Sequence, residues 1–542
     1  MKQLHYVLLL LFAAFSLNLG AQTRYVDEIF TDVDVTYGEI YGANISVLTG
    51  APMASDLTMD VYTPAGDTQA ERPVVIYFHT GTFLPQYING QITGGKLDST
   101  AVEICTRLAK RGYTAISATY RAGWNPLSPD ANVRTETLLK AAYRGVIDAR
   151  TCVRYLRMTA DQMGNPYGVD TNRIVLWGQG TGGYISLGAA TLDSYEEISA
   201  LDKFQNTETF LPYVTLELDG NPFGTAQTPL NFPNHVGYSS EVHLAVNMGG
   251  AIGDTSWIDG PTDEWAEPPI IGYHVVTDPF APIGNGSVRE PVNNEVVIRV
   301  SGTKEAVEEA NERGSNDVLT PVLQYDDPLF QTIEARVDAY QNLTLDLSAL
   351  DQGVNTIATE HMYPFIPPIN PETGGPRLES GPWDWWSKAQ LDLVIAGVNA
   401  QLGTNFSSDQ LHMDGLLTNP DMSAEKARAH IDTIMAHYLP RACQALNLEE
   451  CAIVATEELA DASLVNMQIS PNPARDVAFI RTESDYPMQT VQLFDMNGMF
   501  LRAYHQVNSN TFRLDRQDLP AGMYLLKAKF KDGIVVRRVL FQ

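Results

Sequence analysis

The chain predicts an α/β protein: a mostly parallel sheet covered by helices on both faces, followed by a small all-β sandwich. Three observations carry that expectation. Apolar runs of strand length alternate with helix-period segments over residues 74–300, as parallel strands buried on both faces require. From about Ser463 the texture changes to short alternating strands separated by the turn signals Pro471-Asn472-Pro473, Asn497-Gly498 and Pro520-Ala521-Gly522. The length of 542 residues, with 44% hydrophobic side chains, is enough for more than one core.

Residues 33–41 and 57–62 read as the antiparallel pair that opens the sheet. Residues 74–78 are an apolar strand, 99–110 have helical period, 113–119 are a second strand, 138–157 a long helix and 173–177 a third strand. A glycine-rich turn then leads into a helix over 181–191. Further strands are expected at 242–247, 270–276 and 296–300, and a helix at 424–438. The tail strands are 465–470, 477–481, 491–495, 523–529 and 535–540. This organisation gives a leader over 1–21, a large domain with insertions over 26–448, a linker over 449–462 and the sandwich over 463–542.

Charge and composition exclude several classes. Against 65 Asp and Glu stand 36 Lys and Arg, a net charge of −29. Neutralising phosphates needs clustered basic residues, so nucleic acid is not an expected partner, and an anionic membrane surface is equally disfavoured. An acidic surface does keep an exported protein soluble. With 41 Gly, 31 Pro and 4 Cys, collagen-like, disordered and disulfide-scaffold chains are excluded.

The first residues read as an export signal: Lys2, an apolar stretch over 7–15, and Leu19-Gly20-Ala21 as a small-residue cleavage site. That stretch is shorter than a membrane span, and no later segment reaches about 18 apolar residues, so no span is expected in the mature chain. Export permits disulfides. Of the three possible pairings, chain proximity favours Cys443 with Cys451, leaving Cys105 with Cys152, and buried free thiols are the alternative.

In the tail, Ile469-Ser470-Pro471-Asn472-Pro473-Ala474, Leu493-Phe494-Asp495-Met496-Asn497-Gly498 and Leu519-Pro520-Ala521-Gly522-Met523-Tyr524 together resemble the C-terminal sorting domain of the type IX secretion system of Bacteroidetes. The resemblance implies passage across the outer membrane, then release or surface attachment, with the type IX machinery as partner of residues 463–542. A carbohydrate-binding sandwich is the rival, but no aromatic platform stands out among these strands.

In the large domain, His79-Thr80-Gly81-Thr82-Phe83 follows the first parallel strand, Tyr120-Arg121 the second, Asp148 lies in the next helix, and Gly178-Gln179-Gly180-Thr181-Gly182 follows the third strand. That order resembles carboxylesterases and related α/β hydrolases. The resemblance implies an α/β-hydrolase fold, an oxyanion hole from Gly81, Thr82 and Thr181, and structural roles for Tyr120, Arg121 and Asp148. Thr80 and Thr82 depart from the family's His-Gly-Gly-Gly loop.

The third motif should be Gly-x-Ser-x-Gly, a strained turn that lifts a serine hydroxyl above the sheet. Here the serine position is Gly180. The nucleophile position is therefore vacant, and no second such motif exists in the chain. Thr181 is the candidate substitute, although its backbone N–H belongs to the oxyanion hole and its side chain should face away. Ser186 reads as core.

The family order is nucleophile, acid, base. His274-Val275-Val276-Thr277-Asp278-Pro279 follows an apolar strand and puts Asp278 at the acid position, a turn-capping Asp being the alternative. For the base, His361 is the best placed and His412 the runner-up, while His430 and His437 read as ordinary helix residues. An insertion must fold between Asp278 and His361.

Other readings compete. Gly178, Gly180 and Gly183 also satisfy Gly-x-Gly-x-x-Gly between a strand and a helix, the context of dinucleotide binding. Against it, two parallel strands precede the motif and residues 192–203 are polar. The 254–264 loop, with Asp254, Asp259, Asp263 and Glu264, suits calcium or a solvated loop. Trp383, Trp385 and Trp386 suit a cleft wall.

The expectation is thus an exported, esterase-like degenerate hydrolase or binding pseudoenzyme for a small-molecule or polymer-linked ester-type ligand, with no cofactor. An active ester hydrolase using Thr181, or a water activated by His361 with Asp278, is the alternative. A dinucleotide-binding protein is the third reading.

Overall fold

The computed structural model describes residues 23–48, 50–261, 267–290, 294–324, 327–370, 374–448, 465–494, 500–504, 507–517, 519–530 and 533–542. The leader over 1–21 and the whole linker over 449–462 therefore lie outside the described residues. The chain divides into two compact units, Met1–Leu323 with Asp327–Ile453, and Gln324–Asp326 with Val454–Gln542.

Strands β1 (Val33–Ser46) and β2 (Met53–Pro64) pair antiparallel and open the main sheet. It continues through β3 (Arg72–Phe78), β4 (Thr114–Ala118), β5 (Val169–Gln179) and β6 (Leu244–Met248). After the short β7 (Ala251–Ile252), which leaves the sheet, come β8 (Ile270–Val275), β9 (Asn285–Arg289), β10 (Val296–Gly302), β11 (Thr344–Asp346), β12 (Val354–Thr356) and β13 (Met362–Phe365). The main sheet has the order β1-β2-β4-β3-β5-β6-β8-β13 and is parallel from β4 to β13. Its parallel strands are apolar runs because both faces are covered.

The helices are α1 (Ser99–Lys110), α2 (Ala131–Gln162), α3 (Thr181–Thr191), α4 (Thr303–Arg313), α5 (Pro328–Gln341), α6 (Lys388–Leu402), α7 (Ser408–Thr418) and α8 (Ala424–Ala445). Side chains alternate across a strand, so β3 feeds two cores. Val74, Ile76 and Phe78 pack with α2, α3 and α4, while Val75 and Tyr77 pack with α1, α5 and α8. Among the described residues no helix is long and apolar enough to cross a membrane.

That layering corrects one expectation. Cys105, on α1, and Cys152, on α2, belong to opposite cores with the sheet between them, and both are free and buried. A Cys105–Cys152 disulfide would have to pass through the sheet, whereas disulfide geometry needs Cα atoms within about 7 Å. Cys443 is disulfide-bonded. Its expected partner, Cys451, lies outside the described residues.

The strand expected at residues 296–300 exists as β10, but not in the main sheet. It pairs antiparallel with β7 and β9 in a separate three-stranded sheet. Val296 and Arg299 are exposed, and the pairing with β9 is shifted between Val296 and Ile298. Its place at the edge of the main sheet is taken by β13, where Met362, Tyr363, Pro364 and Phe365 stand opposite Gly272, Tyr273, His274 and Val275. An edge strand tolerates the missing N–H of Pro364.

The second unit is all β. Strands β14 (Gln468–Ser470), β15 (Val477–Arg481) and β18 (Thr511–Asp515) form one antiparallel sheet. Strands β16 (Thr490–Phe494), β17 (Phe500–Tyr504), β19 (Gly522–Phe530) and β20 (Gly533–Phe541) form the other. Ile480, Val491, Leu493, Leu514, Leu526 and Val539 fill the core between them.

Candidate active site

Strand β5 ends at Gln179 and α3 begins at Thr181, so Gly180 is the turn between them, at φ 55 and ψ −116. Its N–H donates to the Met248 carbonyl at 2.9 Å, and its own carbonyl accepts from Gly183 N at 2.9 Å. The positive φ is the strained elbow that a side chain adopts at a cost of about 1–3 kcal/mol. The turn is thus strained, with a glycine at its tip. Gly182 is equally constrained: a β-carbon there would run into the Phe78 carbonyl and stand 3.0 Å from that of His79.

The space above Gly180 is not empty. A β-carbon on residue 180 would stand 3.0 Å from the β-carbon of Thr80 and closer still to its hydroxyl. Thr80 occupies the space that a side chain at residue 180 would need.

Tyr120 fixes this arrangement. Its hydroxyl is 3.0 and 3.1 Å from the carbonyl oxygens of His79 and Thr80 and shares a 2.7 Å hydrogen bond with Thr181 Oγ1. One phenol thus ties the loop after β3 to the start of α3. The Thr181 hydroxyl faces Tyr120 and is already partnered. His79 stacks on Tyr120, ring centroids 4.7 Å apart, and burial pushes its imidazole down to about 4. Beneath them Arg121 and Asp148 form a buried ion pair at 2.8 Å, with Asp148 also accepting from Arg121 N. Of the expected oxyanion residues, Thr82 and Thr181 line the cavity described below, and Gly81 packs behind them against Gly94.

Asp278 lies just past the end of β8, on the same side of the sheet as Gly180. Its Oδ2 is 3.9 Å from where a β-carbon of Gly249 would stand, and Gly249 directly follows the Met248 carbonyl that holds Gly180. The structure therefore brings Gly180 and Asp278 together. Asp278 Oδ1 accepts from Phe280 N at 2.8 Å and Ala281 N at 3.2 Å, and Oδ2 accepts from Ser380 Oγ at 2.8 Å. Burial outweighs these bonds and pushes its carboxyl up to about 7.

His361 is not part of this site. It sits at the entry end of β13, where its carbonyl accepts from Gly272 N, whereas Asp278 lies beyond the exit end of neighbouring β8. His361 and Phe365 are four residue steps apart, about 13 Å along the sheet, and Asp278 lies further still. Arg441 Nε donates to His361 Nδ1 at 3.3 Å, and burial together with Arg441 pushes the imidazole down to about 3. The expectation of His361 as base failed because chain order was read as spatial order. His412 pairs instead with Trp386 Nε1, His437 with the Tyr273 hydroxyl, His430 with the Lys426 carbonyl, and His274 with Thr303 and the Ala281 carbonyl. Among the described residues no histidine hydrogen-bonds Asp278.

The group that does is Ser380, on the loop after β13, where family order would put the base. No pattern in the sequence marked it. The neighbouring run Pro382-Trp383-Asp384-Trp385-Trp386 was the one local signal, and Trp383 and Trp386 do line the cavity. Asp384 is buried there, accepting from Gln179 Nε2 at 3.0 Å and Thr100 Oγ1 at 2.5 Å.

These groups border a cavity of about 850 Å³ that Thr80, Thr82, Gly180, Thr181, Asp278 and Ser380 line at one place. Away from them its walls are mostly apolar, including Phe83, Leu138, Val146, Phe204, Trp257 and Val300, with Arg289, Glu290, Asp384 and Asp414 among them. The size and apolar lining are those of a small-molecule site.

The other candidate sites fare differently. After α3 the chain runs through residues 192–243 before its next sheet strand, β6, whose last residues are Asn247 and Met248; the acidic residue a dinucleotide ribose requires is not at its end. Asp254 caps a short 3₁₀ turn through Ser256 N and pairs with Lys203 at 2.7 Å; Asp263 and Glu264 lie outside the described residues. Carboxylate oxygens of Asp193, Glu197 and Asp259 lie within 4.8 Å of one another. Ser186 donates to two core carbonyls and is buried.

Residues 59–214 match the BD-FAE family model, an esterase-like α/β-hydrolase family, and residues 468–542 match the secretion system C-terminal sorting domain. No curated protein matches at a significant level. Among solved structures, butyrate-bound esterase 2 of the planctomycete Thermogutta terrifontis is 20% identical, with 45% of this chain and 73% of that chain covered and a TM-score of 0.26. The native form of that esterase is 21% identical over 49% and 77%, with a TM-score of 0.25. MGS-M1, an alpha/beta hydrolase enzyme from a Medee basin deep-sea metagenome library, is 16% identical over 45% and 73%, with a TM-score of 0.23.

Proposed function

We propose that this chain, an esterase-like α/β-hydrolase-fold protein with a type IX sorting domain at its C-terminus, is an exported binding protein that has lost the hydrolytic reaction. The observation that carries the reading is the seating of Thr80 in the space a nucleophile side chain would need at Gly180. Ser380 on Asp278 supports it independently. Acyl transfer needs a nucleophile activated by a base that an acid orients. Here the orienting acid remains, at Asp278, while a serine hydroxyl stands where the base belongs. Among the described residues the Thr181 hydroxyl, engaged by Tyr120, is hydrogen-bonded by no histidine or carboxylate either.

What remains is suited to binding. The Thr82 and Thr181 backbone would receive a carbonyl or acyl oxygen, and the apolar walls the body of a small-molecule or polymer-linked ester-type ligand. The leader over 1–21 would direct the chain through the periplasm, and the sorting domain implies release or surface attachment.

The test is turnover of p-nitrophenyl butyrate by the purified protein. No hydrolysis above buffer is expected. Hydrolysis abolished by Thr181→Val would overturn the reading and identify an unconventional nucleophile.

A further inference from the structure

We propose that the ligand of this cavity is an organic cation, a protonated amine or quaternary ammonium on an aromatic or alkyl body, whose charge is balanced by Asp278. The inference rests on the binding reading above, because only a site without a catalytic imidazole leaves this carboxylate without its partner.

Asp278 is 4% exposed and lines the cavity. All the hydrogen bonds it accepts come from neutral donors: Phe280 N, Ala281 N and the Ser380 hydroxyl. Among the described residues no Lys, Arg or His pairs with it. A buried carboxylate normally has a cationic partner or gives up its charge. Burial pushes its carboxyl up, in the direction of the second course.

The rest of the lining carries the same sign. Glu290, Asp384 and Asp414 join Asp278, against the single basic side chain of Arg289. Arg289 is turned to the Asn294 carbonyl at 2.8 Å and to Asp351 at 3.7 Å. Asp384 too is held by neutral donors, Thr100 and Gln179. Tyr184, on α3, acts electrostatically on Asp278; among the described residues the other charged groups lining the cavity are Glu290, Asp384, Asp414 and Arg289, and Lys426 acts on Asp384 from behind the wall.

The walls suit a cation's body. Phe83, Trp124, Tyr184, Trp257, Trp383 and Trp386 all line the cavity, and aromatic faces attract desolvated cations. Trp383 stands beside Asp278: its Cζ2 is 3.3 Å from the β-carbon position of Gly249, and Asp278 Oδ2 is 3.9 Å from the same point. Its indole N–H, buried, has no partner among the described residues. That donor remains for a polar atom of the ligand.

The experiment uses three probes with one body and three charges, 4-phenylbutylamine, 4-phenylbutanol and 4-phenylbutyrate, titrated calorimetrically into the full chain at pH 6.5. The amine should bind at least about tenfold more tightly than the alcohol, with the acid weakest. Amine binding should release up to one proton, read from the dependence of the heat on buffer ionisation enthalpy. Asp278→Asn should abolish both the preference and the proton release. If that variant does not fold, Ser380→His, which seats an imidazole beside Asp278, should cut amine affinity about tenfold. Equal binding of amine and alcohol, tightest binding of the acid, no binding of any probe, or a preference that survives these substitutions would overturn the inference. Ester hydrolysis by the wild-type protein would instead overturn the binding reading beneath it.

Discussion

The β-carbon of Thr80 lies 3.0 Å from the point where a β-carbon on Gly180 would stand. The two residues form one unit: the Thr80 side chain, on the loop after β3, occupies the space that a side chain on the elbow after β5 would need. A side chain at residue 180 is therefore opposed from a second segment distant in sequence, and introducing a serine there alone should not give a working nucleophile.

Gly180→Ser alone is expected to lower stability by about 1–3 kcal/mol, from the clash with Thr80 and the side chain forced to positive φ. The same change on a Thr80→Gly background should lose the clash and keep only the φ cost. Urea denaturation of the two single variants and the double variant measures the coupling; additive effects would contradict the contact.

Asp278 gives the site a pH signature. Its carboxyl is raised from the ordinary 3.8 to about 7 by burial. Between those values the unfolded chain releases the proton while the folded one retains it, so Asp278 costs the folded state progressively more as pH rises from about 4 to 7. Asp278→Asn should accordingly raise Tm relative to wild type by several degrees at pH 8 and by little at pH 4.5. A difference constant across that range would contradict the buried, unpartnered carboxyl.

Arg121 and Asp148 anchor the loop that carries Tyr120, with side chains 1% and 0% exposed. Asp148→Ala leaves a buried guanidinium unpaired and should cost about 3–5 kcal/mol. A loss under about 1 kcal/mol in denaturant titration would show that the pair is dispensable.

The cysteines separate by chemistry. Under denaturing, non-reducing conditions iodoacetamide should modify Cys105 and Cys152, and reach Cys443 only after reduction. In the native state Cys105 and Cys152 should stay unmodified, since both are buried and burial pushes their thiols up. Rapid native labelling of either would contradict the two-core layering.

The sheet and its helices were legible because buried strands and amphipathic helices impose patterns; the expected bounds 99–110 and 181–191 are those of α1 and α3. β13 was missed because Met362-Tyr363-Pro364-Phe365 is short, contains proline and follows an insertion. β10 was found but assigned to the wrong sheet, since strand pattern does not name the neighbour. Within the site, Gly180 and Asp278 were legible from motif order. Thr80 and Ser380 were not: they matter through distances across the fold, at Gly180 and Asp278, and no spacing encodes those. His361 shows the reverse, a residue with the right order at the wrong end of a strand.

The most direct test of the central claim is intact-mass spectrometry after exposure to a fluorophosphonate, on wild type and on Thr80→Gly/Gly180→Ser/Ser380→His. The proposed binding role predicts an unmodified wild-type chain and a single adduct on the triple variant, at residue 180. A stoichiometric adduct on the wild-type chain would contradict the account and mark a working nucleophile.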